Sequence, residues 1–564
     1  MATFDNLPNE ILLEIVSHTS SIRSLTALAC QCRRLYTLVN VKERRIYHKI
    51  PIRSIPQLRL AHARLLEILR NRELGKYVRT IELAKPDWVP DSDDGFDNYE
   101  GIDRTHQDSD LSFVAAKDEE IKLITKAVRN AGVEGLTDQS VYTTLRMCSL
   151  SNGGDRMPLE VLRSQYHAFE VVAAVLILCS PHLATLKIAD YGPPVLHVLK
   201  HANARHPRKS PLLQKLRYVR LLQTVIRGWR AREYSDCDFL RCLKLFHRLP
   251  SIESVRAEAI YSKPLYKKDC FVTPAVSNVR KLHIGHSCIS DVVVCQAIRH
   301  SKALEEFTCT TGGRREPNFG VGIDPFKVGK ELARHKSSLR YLDLDLDAVA
   351  VIDTYANDEE DSHGEIAIDS DDENAAVYGR LLVNATPEDH DPLWRTRKYI
   401  VDGEIGPPPK PRPIHGPRIG SFSDFTALKH LSIGVYFFFT SGTWQYKGED
   451  KVSDPRYFRI ADFLPPNLEY FCIRGYPGLT GPALRKQQVE EFMKEKAERF
   501  PNLVVEGLDG TIPSGKHVAR EDAYDYWCPP ARFYNDGEDE DDSGPELESE
   551  SDQETKRDTP AIEP

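Results

Sequence analysis

A chain of 564 residues, 41% hydrophobic and 28% charged, is several times the size of a usual domain, so a single compact core is excluded in favour of several domains or one extended array. The net charge of −8 is unevenly spread: residues 535–564 hold thirteen Asp and Glu against two Lys and Arg, a net of −11, which leaves +3 on the rest. A body so close to neutrality makes no case for nucleic-acid binding, and no apolar run approaches the ~20 residues that span a bilayer.

The opening MATFDNLPNEILLEI has no basic leader region and sets acids inside its apolar stretch, so it does not read as a secretory signal. A cytoplasmic or nuclear location is expected, with the twelve cysteines reduced. No CxxC pair occurs, and Cys30 and Cys32 lie two apart on an expected helix, where they face different ways.

Residues 1–50 read as short helices. Pro8 suits a first helical turn, with Asp5 or Asn6 near enough to cap it. Ile11, Leu12, Ile15 and Val16 then form one apolar stripe. A second helix is expected from Ser21 or Ser24, its apolar positions Ile22, Leu25, Leu28, Ala29 and Cys32 continuing through Leu35, Leu38 and Val39.

From about residue 58 a segment of the form LxxLxL recurs. Its instances are Val78/Ile81/Leu83, Leu183/Leu186/Ile188, Leu216/Val219/Leu221, Ile252/Val255/Ala257, Val279/Leu282/Ile284, Leu304/Phe307/Cys309, Leu339/Leu342/Leu344, Leu428/Leu431/Ile433 and Leu468/Phe471/Ile473. Phe500-Pro501-Asn502-Leu503 leads to a weak last one. The final two positions of each alternate as a strand with one buried face requires. Helical stretches such as Leu159–Cys179 and Val292–His300 precede several of them. Helix, turn and short strand at intervals of roughly 25 to 40 residues make the unit of a leucine-rich solenoid. The expected fold is α/β (α+β overall): a helical N-terminus followed by an irregular leucine-rich-repeat-like solenoid over 51–344 and 421–534.

Two stretches stand apart. Residues 345–420 are first acidic (Asp358–Asp361, Asp369–Glu373), then proline-rich (Gly406–Pro413), and read as a disordered insertion. Residues 535–564 read as a disordered acidic tail, in which Ser543, Ser549 and Ser551 have acids three residues on.

Other motifs carry little. Leu222 to Arg232 has the spacing of a calmodulin-binding helix but follows directly on an expected strand. Its Arg227, Arg230 and Arg232 read better as a solvated face, one that could meet an acidic partner. His283, His286 and Cys288 lack a fourth ligand at finger spacing, so no metal is expected. Gly320-Val321-Gly322 lacks the third glycine of a nucleotide loop, and Gly329-Lys330 is followed by Glu331 rather than Ser or Thr. No cofactor is expected.

The segment Leu7-Pro8-Asn9-Glu10-Ile11-Leu12-Leu13-Glu14-Ile15 resembles the opening of an F-box, and Ser24–Val39 is similar to its second half, with Cys30, Arg34 and Leu35 in the family's positions. Thr19-Ser20-Ser21 departs from the usual Leu and acidic turn. Leu65–Leu83 looks like the first repeat of fungal F-box proteins with leucine-rich-like bodies. The resemblance implies that residues 1–50 dock on a Skp adaptor and through it a cullin, while the body holds an unidentified protein substrate and catalyses nothing. A module of ~40 residues hardly supports its own core, so apolar residues stay available to a partner groove. The candidate anchors are Leu7, Pro8, Ile11, Leu12, Ile15, Leu25 and Leu28. The alternative is a scaffold that binds the adaptor without cullin; an enzyme would instead show a deep pocket of convergent titratable groups.

Overall fold

The computed structural model describes residues 7–19, 22–84, 117–149, 159–189, 191–204, 212–222, 234–262, 274–312, 323, 325–346, 419, 421–435, 438, 459–476, 483–508 and 512. The acidic tail, the arginines of 223–233, Gly320 and Gly322 lie outside them, as does the insertion except for Asp345, Leu346 and Ile419. Those three are buried, so the body extends to Leu346 and resumes by Ile419.

Four short helices open the chain: α1 (Asn9–His18), α2 (Ile22–Ala29), α3 (Arg33–Val39) and α4 (Val41–His48). The apolar spacing from residue 22 to 39 reads as one helix, but it is broken. Cys32 takes extended backbone (φ −158, ψ 162) and starts α3 afresh. Asn40, left-handed at φ 46, separates α3 from α4; asparagine tolerates that conformation better than most residues.

Helix α4 runs straight into β1 (Lys49–Ile52), so the boundary placed at residue 50 cuts a strand. The chain then alternates strands with helices: α5 (Ile55–Arg70), β2 (Thr80–Leu83), α6 (Asp118–Ala131), α7 (Asp138–Ser149), α8 (Leu159–Leu178), β3 (Thr185–Ile188), α9 (Pro193–Ala202) and β4 (Tyr218–Leu221). Next come β5 (Ser235–Asp236), α10 (Phe239–Phe246), β6 (Ser254–Glu258), β7 (Ile260–Ser262), β8 (Lys281–Gly285), β9 (Cys288–Ile289), α11 (Asp291–His300), β10 (Glu306–Thr310), α12 (Pro325–Leu332) and β11 (Tyr341–Asp345). The last elements are β12 (His430–Gly434), α13 (Ile460–Phe463), β13 (Tyr470–Arg474), α14 (Ala483–Arg499) and β14 (Val504–Glu506).

Eleven of these strands form one parallel sheet in chain order, interrupted only where β5, β7 and β9 form a small sheet of their own. Every LxxLxL segment is a strand in this sheet, and the approach at Phe500–Leu503 leads into β14. The register repeats without slip: Ile81 faces Leu186, Leu186 faces Val219, and Val219 faces Val255. The residue ahead of each strand extends the ladder, as where the Glu253 N–H donates to Arg217 O and the Arg280 N–H to Glu253 O. Strand leucines and the helices behind them share one apolar core running from Tyr47 to Leu503.

The alternation along the strands is less sharp than period 2 demands. Glu82, Asp343, Ser432 and Cys472, which point away from the core, are buried as well. Neighbouring strands lie only ~4.8 Å away on both sides, so each outward side chain is walled in by the same row on the next strand.

Gly329 owes nothing to phosphate. A Cβ there would lie 1.6 Å from the Ile419 carbonyl oxygen, so the glycine lets the chain returning from the insertion press on α12. Gly329→Ala must displace backbone and is expected to cost about 2 kcal/mol or more, read as a lowered denaturant midpoint with an unchanged slope.

Candidate functional site

Helix α1 is tied to α3 by one arginine. The Arg34 guanidinium donates to Leu7 O at 2.7 Å and to Asn9 Oδ1 at 2.9 Å from Nε, fixing the stretch that enters α1. Between the helices Val16, Leu25, Ala29 and Val39 form a cluster of their own, edged by Leu28 and Val41 and separate from the main core. With Leu12 and Leu35, which are buried beside them, six apolar side chains make a small core for three helices.

The seven candidate anchors divide accordingly. Leu12 (1% exposed) and Leu25 (2%) turn inward, and Leu28 is half-buried against the small cluster. Their neighbours stay out: Ile11 is 48% exposed, Pro8 is exposed, and Leu7 and Ile15 are half-buried. Pro8, Ile11 and Ile15 follow one another at i, i+3 and i+7, one apolar stripe along the side of α1. Among the described residues of the four helices, three further large apolar side chains are uncovered: Leu13 on the other flank of α1, Tyr36 (67%) on α3 and Ile46 on α4. Tyr36 was open to inference, because Leu35 and Val39 at i and i+4 claim the inner face of α3 and leave Tyr36 outside.

Helix α4 belongs to the body more than to this helical cluster. Tyr47 is part of the main core and its hydroxyl bonds to the Glu67 carboxylate; burial and that carboxylate push the phenol up to about 12. The Arg44 guanidinium lies 4.6 Å over the Tyr77 ring, and the Arg79 N–H donates to His48 O. Tyr47→Ala is therefore expected to lower the main unfolding transition of the body by about 3 kcal/mol, measured by denaturant titration.

The outward face of the large sheet is the other candidate surface. In register, its middle row carries Glu82, Lys187, Arg220, Arg256 and His283 on β2, β3, β4, β6 and β8. On β11 to β13 the rings of Tyr341, His430 and Tyr470 stack at 4.1 and 4.2 Å, and Arg474 holds Asp343 at 2.9 Å. Ahead of these strands Arg340, Thr426, Lys429, Asn467 and Glu469 line a groove of about 550 Å³ in which Lys429 pairs with Glu469 at 2.6 Å.

His283, His286 and Cys288 do not converge. His283 faces outward beside Thr308 at 3.2 Å, whereas Cys288 is buried in the small sheet. Among the described residues no His, Cys, Asp or Glu group is placed to hold a metal, and no helix is long and apolar enough to cross a membrane. The nine cysteines whose side chains are described are free thiols.

Residues 4–50 match the model of the F-box-like family. No curated protein matches the chain. The molecule is thus a mixed α/β protein with a helical F-box-like region ahead of a parallel sheet, and F-box domains bind Skp-type adaptors.

Proposed function

We propose that this chain is the substrate-recognition subunit of a Skp–cullin–F-box ubiquitin ligase, acting in the cytoplasm or nucleus. The helical region docks on a Skp adaptor, and the body, read as an irregular leucine-rich-repeat-like solenoid of the fungal F-box type, holds a protein substrate. One observation carries this reading: Pro8 and Ile11 stay exposed, with Ile15 half-exposed beside them, on helices whose own core is six small or medium apolar side chains, in a segment that matches the F-box-like model.

On this reading the chain makes and breaks no bonds. It raises the concentration of substrate lysines near a ubiquitin thioester, and geometry supplies the gain in rate. The junction favours that role, since α4 passes into β1 with no linker and is fixed to the body through Tyr47 and Arg44. A rigid arm holds a captured protein at one distance and orientation from whatever grips α1.

Tagged full-length chain should co-purify both a Skp adaptor and a cullin, and Ile11→Asp should lose both together. Recovery of the adaptor without cullin would contradict the ligase assignment. A point substitution serves better than removal of residues 1–50, which would take Tyr47 and half of β1 from the body.

A further inference from the structure

Two thiols meet where helix α10 begins. Asp238 caps this helix, its side chain accepting from the Arg241 N–H at 3.0 Å, so Cys237 stands one residue ahead of the cap and Cys242 at the fourth position inside. Apolar side chains in these two positions commonly pack together and set the angle at which a chain enters a helix. Here both are cysteines, and their sulfurs lie 4.0 Å apart. Cys237 is held from outside the helix as well: its N–H donates to Tyr261 O on β7 at 2.9 Å, which fastens it to the small sheet.

A disulfide sets its two sulfurs about 2 Å apart. These sulfurs have about 2 Å to close, less than the ~3 Å a sulfur travels in one change of rotamer. Their surroundings suit them to different parts of an oxidation. Cys237 is partly exposed, and Cys242 is buried. Burial raises the thiols of Cys179, Cys295, Cys309 and Cys472. Cys242 is about as buried as Cys179 and Cys295, yet its thiol moves down. The Cys237 thiol foremost, with the Tyr191 hydroxyl and the Arg241 guanidinium, outweighs burial and the Asp238 carboxylate. The Tyr191 oxygen lies 3.1 Å from the Cys242 sulfur. Burial holds that phenol well above its usual range, so it keeps a proton to donate to the thiolate.

We propose that Cys237 and Cys242 form a modification site, oxidised by hydrogen peroxide to a disulfide that fastens the first turn of α10 to the small sheet and is opened again by thiols. The Cys237 sulfur attacks one peroxide oxygen; the O–O bond breaks, and the thiol proton leaves with the other oxygen as water, giving a sulfenic acid. The Cys242 thiolate attacks that sulfur, the S–O bond breaks, and the hydroxide leaves as a second water with the proton Cys242 gave up. Two thiols become one disulfide, and one peroxide becomes two waters. None of this rests on adaptor docking.

Peptide mapping of the full-length chain tests it. Tryptic cleavage after Arg241 separates the two cysteines, so the bond shows as residues 233–241 joined to residues 242–244. When the native chain meets a few equivalents of hydrogen peroxide, this pair should be the main disulfide, and dithiothreitol should return it to two thiols. In urea nothing holds the sulfurs together or lowers the Cys242 thiol, and the bond should form about tenfold more slowly. Cys242→Ser leaves the Cys237 sulfenic acid without its partner, so dimedone labelling of Cys237 should rise about fivefold or more over the unaltered chain. Peroxide that leaves both residues as thiols, or drives Cys237 to sulfinic acid without the joined peptides, would overturn the proposal. So would a rate unchanged by urea, dimedone labelling unchanged by Cys242→Ser, or a main product that ties either cysteine to a different one or to a second chain.

Discussion

Ile11→Asp is expected to weaken binding of a Skp-type adaptor by about 100-fold or more while leaving the folded chain as stable as before. Ile11 is 48% exposed on α1 between Pro8 and Ile15, so a carboxylate there meets water in the free protein and loses little. Against an apolar partner groove the same carboxylate is stripped of water without a counter-charge, a loss of the hot-spot size of about 2–4 kcal/mol. The adjacent Leu12 makes the control. At 1% exposure it packs inward, and Leu12→Ala should cost about 2–4 kcal/mol of stability, weakening the adaptor only through unfolding of α1. Calorimetric titration paired with thermal melts separates the two, because the expected losses fall on different measurements.

The second large effect is a loss of stability in mild acid. His247 is buried between α10 and the next turn, with Nδ1 2.6 Å from Lys244 O and its ring 4.9 Å from that of His300. Burial foremost, helped by His300, Arg248 and Lys244 and opposed by the Lys244 carbonyl, drives its pKa down to about 4. His182 is likewise lowered to about 4, by burial and then by Lys215 and Arg79. His335, which bonds Ile298 O at 3.0 Å, shifts the same way through burial. All three are neutral in the fold, whereas the unfolded chain takes up protons near the usual ~6.5. The unfolded state therefore gains protons first as pH falls. Stability is full above ~6.5 and is lost progressively toward about 4, with His247 alone worth up to about 3 kcal/mol. Melting temperatures between pH 7.5 and 4.5 should drop steeply, and His247→Gln should flatten that drop while lowering stability at pH 7.5. A melting temperature indifferent to pH in this window would refute the assignment of neutral buried histidines.

The strands of the large sheet were legible because each depends on the same three apolar positions, from Val78/Ile81/Leu83 to Leu468/Phe471/Ile473, and those positions are buried throughout. Strand β1 was not, since Pro51 argues against a strand. It is admitted because β1 is the edge of the sheet, where a missing N–H leaves no ladder bond unmade. The small sheet left no periodic trace. Its strands are two or three residues long and form where the chain turns at Ala259 and His286, both left-handed at φ 47 without being glycine. In the helical region the apolar residues were plain but their direction was not. Ile11 and Leu12 look alike in sequence, and only the packing of α1 on α3 through Arg34 sends one outward and the other in.

The account rests on an apolar stripe left open for a partner, and titrating purified full-length chain with a recombinant Skp adaptor tests it most directly. A one-to-one complex of micromolar affinity or tighter, weakened about 100-fold by Ile11→Asp and left intact by substitutions on the sheet face, is the result expected. No complex, or one that Ile11→Asp leaves unchanged, would contradict it.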